Sequence, residues 1–199
     1  MNTIVDAIST NRLRGEPCPR DLELLIENCP DLISDLGITL GVEADWAPWS
    51  DKSYLTPEDL ANPDITANVK AIDEVCEHVR FVAQLDGGEC IGYWISPTPR
   101  PLAACPVVYY DTEGQFELCG GRFVESLFFL IYDDEALQEV RSKCATLEIP
   151  LDFAGVNDIR IPESTISPDD FHEQRYDENL KEPNKASILT PDPPGVEKS

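Results

Sequence analysis

The segment over residues 106–134, PVVYYDTEGQFELCGGRFVESLFFLIYDD, constrains the fold more than any other part of the chain. Two strand-like runs, PVVYY and QFELC, flank the turn sequence DTEG, and this arrangement predicts an antiparallel hairpin. Gly120 and Gly121 break the strand pattern, because glycine permits a sharp turn from strand to helix. The run that follows, residues 122–147, is predicted to be helical, and its wide apolar face is expected to pack on the strands.

A second hairpin is predicted over residues 79–96. VRFVAQL alternates, with Val79, Phe81, Ala83 and Leu85 expected on one side, and DGGE supplies the turn before the strand CIGYWIS. A proline-rich loop, PTPRPLAACP, joins the two hairpins. The predicted fold class is therefore α+β, a twisted antiparallel sheet with helices packed on one face.

The first part of the chain shows helical signals. Apolar residues recur at helical spacing from residue 20, and Pro30 is expected to end or kink that helix because proline removes a backbone hydrogen bond. Thr56, followed by Pro57 and then by Asp59, is typical of a helix start. A further helix is predicted over residues 68–78.

The length of 199 residues suits one domain with appended segments. We expect an N-terminal arm over residues 1–19, an α+β domain over residues 20–150, and an acidic, proline-rich extension over residues 151–199. Residues 150–199 hold seven of the 17 prolines. From Ser164 onward we expect an extended tail without a core of its own, which could be removed without unfolding the domain.

Charge narrows the classes of partner. The chain has 38 acidic and 15 basic residues, a formal net charge of −23, which repels nucleic acid and anionic membranes and attracts basic proteins. The expected partner is therefore a basic protein, with no nucleic acid and no membrane insertion. The alternative interpretation is that the charge serves solubility alone, without a basic partner. No secretory signal is recognised and the seven cysteines form no CxxC pair, so reduced thiols in the cytoplasm are expected.

Motifs that carry chemistry are weak in this sequence. The cysteines are too widely spaced for a typical zinc site, and neither glycine pair forms a phosphate-binding motif, so no metal and no cofactor are expected. His78 is the only credible general base, and a capping or surface role on a last helical turn is favoured for it. We therefore expect no catalytic residues and no enzymatic activity.

Large aromatic side chains flanked by charge make good interface anchors, and such a cluster occurs around residues 46–59. The alternative interpretation is that these aromatic residues cover one edge of the core. The set predicted to bind a partner comprises Trp46, Trp49, Tyr54, Asp51, Glu58 and Asp59.

Several short motifs follow one another in order along the chain. DLGITL at residues 35–40 precedes the DGG turn at residues 86–88, and Tyr93 and Trp94 come near the end of the next strand. PVVYYD then leads to the EG turn at residues 113–114. The apolar positions of the final helix are Phe123, Leu127, Leu130 and Ile131.

This ordered series resembles the SUKH superfamily, which includes fungal cell-wall synthesis regulators, the bacterial Syd protein and many bacterial immunity proteins. The resemblance covers residues 20–144, with Gly41 in place of the family's usual proline. It implies an α+β fold, a twisted antiparallel sheet with helices packed on one side, and no catalytic residues. Many members look like antidotes that bind and block a cognate toxin, often a nuclease.

The resemblance and the charge together predict an immunity protein that binds and neutralises a basic toxin. Two alternatives stay open. The first is a regulatory scaffold that binds an endogenous protein, like the Syd or cell-wall branch of the family. The second is a hydrolase that uses His78 with a nearby serine or cysteine.

Overall fold

The computed structural model describes residues 3–97, 100–131 and 133–181. Within these ranges, eight α-helices and five strands are joined by loops and short 3₁₀ turns. The elements in chain order are α1 (Thr3–Asn11), α2 (Arg20–Asn28), α3 (Pro30–Asp35), β1 (Ile38–Leu40), α4 (Pro57–Ala61), α5 (Pro63–Glu77), β2 (Val79–Leu85), β3 (Cys90–Trp94), β4 (Val107–Tyr110), β5 (Phe116–Gly120), α6 (Phe123–Leu130), α7 (Asp134–Thr146) and α8 (Pro168–Lys181).

The sheet is an antiparallel meander in the order β1-β2-β3-β4-β5. Both predicted hairpins are present, and Tyr110 pairs with Phe116 across the second turn. Asp111 stabilises that turn, because its Oδ1 accepts hydrogen bonds from the backbone N–H groups of Glu113 and Gln115, each at 2.8 Å. Gly114 takes the positive φ of 86° that the turn requires. The predicted α+β class is confirmed.

Strand β2 contains a bulge that reverses its side-chain alternation. The register against β3 shifts between Phe81 and Ala83. Val79 and Phe81 therefore point to one core, whereas Ala83 and Leu85 pack with Val82 on the other side of the sheet. The expectation that Val79, Phe81, Ala83 and Leu85 share one side is wrong, because one extra residue exchanges the two faces.

The sheet is covered on both faces. On one face, α1, α2, α3, α6 and α7 pack over a large core that includes Leu25, Ile91 and Phe123. This is the helical layer that the sequence predicts. On the other face, α5 contributes Val75 to a smaller core around Trp94, and α8 packs beside it. The second layer follows from the bulge and from α8, neither of which the sequence analysis anticipated.

Local signals place most helix ends correctly. α2 ends before Pro30, which begins α3. Thr56 caps α4: its hydroxyl accepts from the backbone N–H of Asp59 at 3.1 Å, and its own N–H donates to the Asp59 carboxylate at 2.9 Å. The predicted helical run over residues 122–147 is two helices, since Asp133 caps a new helix by accepting from the Ala136 N–H at 2.8 Å.

Both ends of the chain contribute to the fold. Ile8 and Leu13, within the expected N-terminal arm, have no exposed surface and belong to the larger core. Beyond Ser164, where an extended tail is expected, the chain instead forms α8 against α5, and that expectation is corrected. The remainder of the expected tail, residues 182–199, lies outside the described residues.

Candidate partner-binding groove

A groove of about 550 Å³ lies between the loop over residues 48–55, helix α5 and the turn that joins β4 to β5. Aromatic and acidic side chains from two distant parts of the sequence meet there. We call it the acidic groove, and its defining residues are Trp49, Asp51, Tyr54, Tyr110, Asp111 and Glu113.

The loop that forms one wall of the groove is held in place by hydrogen bonds before it and by an ion pair within it. Arg12, just after α1, donates hydrogen bonds to the carbonyl oxygens of Glu43 at 2.9 Å, Ala44 at 2.8 Å and Trp46. Lys52 forms an ion pair of 2.7 Å with Asp73 on α5. These contacts hold a segment without regular strand or α-helix in a defined place over the sheet.

Three aromatic side chains give the groove its apolar surface. Trp49 packs on the buried ring of Phe81 with 4.4 Å between ring centroids. Tyr110 lies 4.7 Å from the ring of Phe116, and burial raises the pKa of its phenol, so its hydroxyl stays protonated at neutral pH. Tyr54 is 66% exposed, so a large apolar ring stands free at the edge of the groove.

Carboxylates surround this aromatic surface. Asp51 accepts a hydrogen bond from the Ser53 N–H at 2.8 Å, and this bond lowers the pKa of Asp51, which keeps it ionised. Asp111 and Glu113 stand on the opposite wall, where Glu113 is exposed. The groove therefore offers fixed negative charge beside aromatic faces, which suits a cationic side chain.

Of the six residues predicted to bind a partner, three line the groove and three do not. Trp49, Asp51 and Tyr54 line the groove. Trp46 lies behind it, edge-on to Trp49 at 5.3 Å, with the Arg12 guanidinium over its ring. Glu58 and Asp59 belong to α4 and do not line the groove, and Asp59 is engaged in capping that helix.

Tyr110, Asp111 and Glu113 were missed by the sequence analysis. The sequence pattern identifies DTEG only as the turn between the two strands of the hairpin. Its acidic composition, directly after an aromatic pair, was the available signal. What the sequence could not provide was the proximity of this turn to residues 48–55, because that depends on how α5 packs across the sheet.

His78 lies at the C-terminal end of α5, as expected for a capping position. Its ring packs edge-on against Phe171 at 5.1 Å and Trp94 at 6.0 Å, and burial lowers its pKa. Among the described residues, the ring of His78 has no hydrogen bond to a serine, a cysteine or a carboxylate.

Other features bear on metals, thiols and membranes. All seven cysteines are free, and burial raises the pKa of most of them, Cys76 and Cys90 each to about 12. The described ranges contain no group of three or more metal-ligating side chains. No helix in the described part of the chain is both long and apolar enough to cross a membrane.

Comparison of the chain with models of protein families, with curated proteins and with solved structures found no significant match.

Proposed function

We propose that this protein is a non-enzymatic binding module, an immunity protein that binds a basic toxin in the cytoplasm and blocks it. The observation that carries the proposal is the acidic groove, in which exposed aromatic surface and ionised carboxylates occur together. A surface of this kind recognises lysine and arginine side chains of another protein.

The chemistry of recognition follows from the groove walls. A guanidinium or ammonium group from the partner would lie over the ring of Tyr54 or Trp49, where the negative face of the ring attracts it. The carboxylates of Asp111 and Glu113 would then accept charge-assisted hydrogen bonds from the same group. Tyrosine and tryptophan are frequent energetic hot spots at interfaces, because they bury large areas with few rotatable bonds.

The charge of the whole molecule acts at longer range. A net charge of −23 steers a basic partner toward the protein and accelerates the encounter. If the partner is a nuclease, its positively charged substrate-binding surface is complementary to this protein in the same way as it is to nucleic acid. Binding at that surface would exclude the substrate.

The resemblance of residues 20–144 to the SUKH superfamily supports the same proposal, since many of its members look like toxin antidotes. The antiparallel sheet is of the α+β class that this resemblance implies, although the described helices cover both faces of the sheet and not one. The groove adds a place on that scaffold where the partner would dock.

The experiment is a survival assay in which this protein is co-expressed with the toxin-like product of the adjacent reading frame. The wild-type protein is expected to protect the cells, and a variant with Tyr54→Ala and Glu113→Gln is expected to lose protection. The matched control, Glu139→Gln with Asp152→Asn, changes two exposed acidic residues away from the groove and should protect fully.

Absence of rescue by the wild-type protein, together with no complex in a pull-down at low salt, contradicts the proposal. Recovery of one dominant endogenous protein from the native host, without any toxin present, would instead assign the protein as a regulatory scaffold.

A further inference from the structure

A second cavity, of about 370 Å³, lies on the other side of Trp49 from the acidic groove. Three of the chain's few basic residues, Arg12, Arg14 and Arg80, line it. We call this cavity the arginine pocket. We propose that the arginine pocket binds an oxyanion of the phosphate type, either the free ion or a phosphoryl group on a small organic molecule.

None of the three guanidinium groups forms an ion pair with a carboxylate among the described residues. Arg12 donates to backbone carbonyl oxygens, and Arg80 donates from Nη1 to the carbonyl oxygen of Glu77 at 3.2 Å. Arg14 has no hydrogen bond within the described residues. Arg100, Arg141 and Arg160 also form no ion pair within the described residues, so the feature that distinguishes Arg12, Arg14 and Arg80 is that they share one cavity.

Arg14 and Arg80 are close enough to repel each other. Burial lowers the pKa of Arg80, and the positive charge of Arg14 lowers it further. Arg14 holds a left-handed backbone conformation, with φ of 55°, which is uncommon for a residue other than glycine. The fold therefore keeps two like charges together, and an anion between them would relieve the repulsion.

Glu43 and Asp45 favour the charged form of Arg12, and Glu16 favours that of Arg80, but none of these carboxylates forms an ion pair with the pocket arginines within the described residues. Asp73 lines the cavity but is paired with Lys52 at 2.7 Å, so Glu77 is the lining carboxylate that remains without a cationic contact. At an ionic strength of about 0.15 M the screening length is about 8 Å, so more distant carboxylates act weakly while the arginines act at contact.

The geometry of guanidinium groups selects the ligand class. A guanidinium presents paired N–H donors that match two oxygens of a phosphate, and this bidentate contact is the strong form of the interaction. Trp49 and Phe81 supply an apolar wall beside the arginines, where the organic part of a phosphate monoester could lie.

The test is isothermal titration of the full-length protein with inorganic phosphate at constant ionic strength, with chloride as the balancing anion. Saturable binding is expected for the wild-type protein. Arg14→Ala and Arg80→Ala should each weaken it about tenfold, the loss expected from one charge-assisted contact. Arg160→Ala, which removes an exposed arginine outside the pocket, should leave the affinity unchanged.

Absence of saturable binding overturns the proposal, and so does equal binding by Arg14→Ala and the wild-type protein. Arg14 is exposed, so this variant tests the site even if Arg80→Ala unfolds. Phenyl phosphate, with phenol as the neutral control, distinguishes the sources: tighter binding than inorganic phosphate assigns an esterified phosphoryl group, and equal binding assigns the free ion. These outcomes are independent of the survival assay.

Discussion

At position 92 the packing of β3 against β2 leaves room only for glycine. Gly92 lies in β3, opposite the bulge of β2, where the two backbones approach closely. A β-carbon at this position would lie 2.6 Å from Val79 Cγ1, 2.7 Å from the carbonyl oxygen of Arg80 and 2.8 Å from Phe81 Cα. Two of these three atoms belong to the backbone and cannot move aside without disturbing the pairing of β2 with β3.

We therefore expect Gly92→Ala to lower the free energy of unfolding by about 1–3 kcal/mol, the usual range for overpacking. Urea denaturation followed by circular dichroism measures the change. Gly155→Ala is the matched control, because an added β-carbon there meets only Asp158 Oδ2, at 4.0 Å. If the two variants are equally stable, the close approach at the bulge is not present in solution.

Of the two histidines of the chain, His78 packs against Phe171 of α8 and His172 lies in α8 itself, and burial lowers the pKa of each. For His78, Glu77 opposes this shift while Arg80 and Arg14 add to it; for His172, Asp169 opposes it. The folded state thus prefers both rings neutral.

The unfolded chain takes up these protons as the pH falls through about 6.5, so stability is expected to decrease on acidification from there. Thermal melts between about pH 7.5 and about pH 5.5 measure this decrease. The variant with His78→Gln and His172→Gln should show a smaller decrease. Glu74 does not interfere, since its contact with Arg175 lowers its pKa and keeps it ionised in this range. An identical pH profile for the two proteins would refute the histidine contribution.

At the scale of elements, α8 is the helix that differs most from the sequence-based expectation, which was an extended tail. Phe171 packs against Trp94 with ring centroids 5.9 Å apart, and the indole N–H of Trp94 donates to the carbonyl oxygen of Ile166 at 3.0 Å. Arg175 adds an ion pair to Glu74 on α5. Trp94 has no exposed surface in the presence of these contacts, so the C-terminal segment completes the smaller core.

Deletion of residues 164–199 is therefore expected to lower the melting temperature and to shift the tryptophan fluorescence to longer wavelength, because Trp94 loses its cover. The control is a chain that ends after Lys181, which keeps α8 and should melt close to the full-length protein. Calorimetry and fluorescence emission measure both quantities. Equal melting temperatures for the two truncations would restore the original expectation of a dispensable tail.

The hairpins, the break at Pro30 and the cap at Thr56 were predictable because each depends on residues close together in the sequence. The bulge in β2 was not, since it is defined by pairing with β3 and leaves no mark in the alternation. α8 was obscured by proline and acidic composition, and its stability comes from contacts with α5 and Trp94. The groove combines Tyr54 with Glu113, and only the tertiary fold brings them together.

At the scale of the molecule, the two faces of the sheet differ in role: one carries the larger core, and the other carries the surface proposed to bind a partner. The larger core, beneath α2, α6 and α7, holds the sheet together. The face with the smaller core carries both the acidic groove and the arginine pocket, on either side of Trp49. A partner that docks across Trp49 would meet negative charge on one side and positive charge on the other.

The net charge of the whole molecule predicts that the rate of association with a basic partner depends on salt concentration. Association with a basic partner is expected to slow as salt is raised, because screening removes the steering from a net charge of −23. The dissociation rate should change much less. Stopped-flow or surface-based kinetics at two salt concentrations measure both rates, and a salt-independent association rate would count against a basic partner.

The most direct measurement is the dissociation constant of the complex with the product of the reading frame adjacent to this chain's gene, the candidate basic partner. Three proteins are compared: the wild type, a groove variant with Tyr54→Ala, Asp111→Asn and Glu113→Gln, and the control with Glu139→Gln and Asp152→Asn. Asparagine at position 111 keeps an acceptor oxygen for the turn.

The groove variant is expected to bind about thirtyfold more weakly or worse, the loss that corresponds to one hot spot of about 2 kcal/mol. The control should bind like the wild type. Equal weakening in both variants would show that net charge alone carries the interaction, and no weakening in the groove variant would show that the partner docks elsewhere.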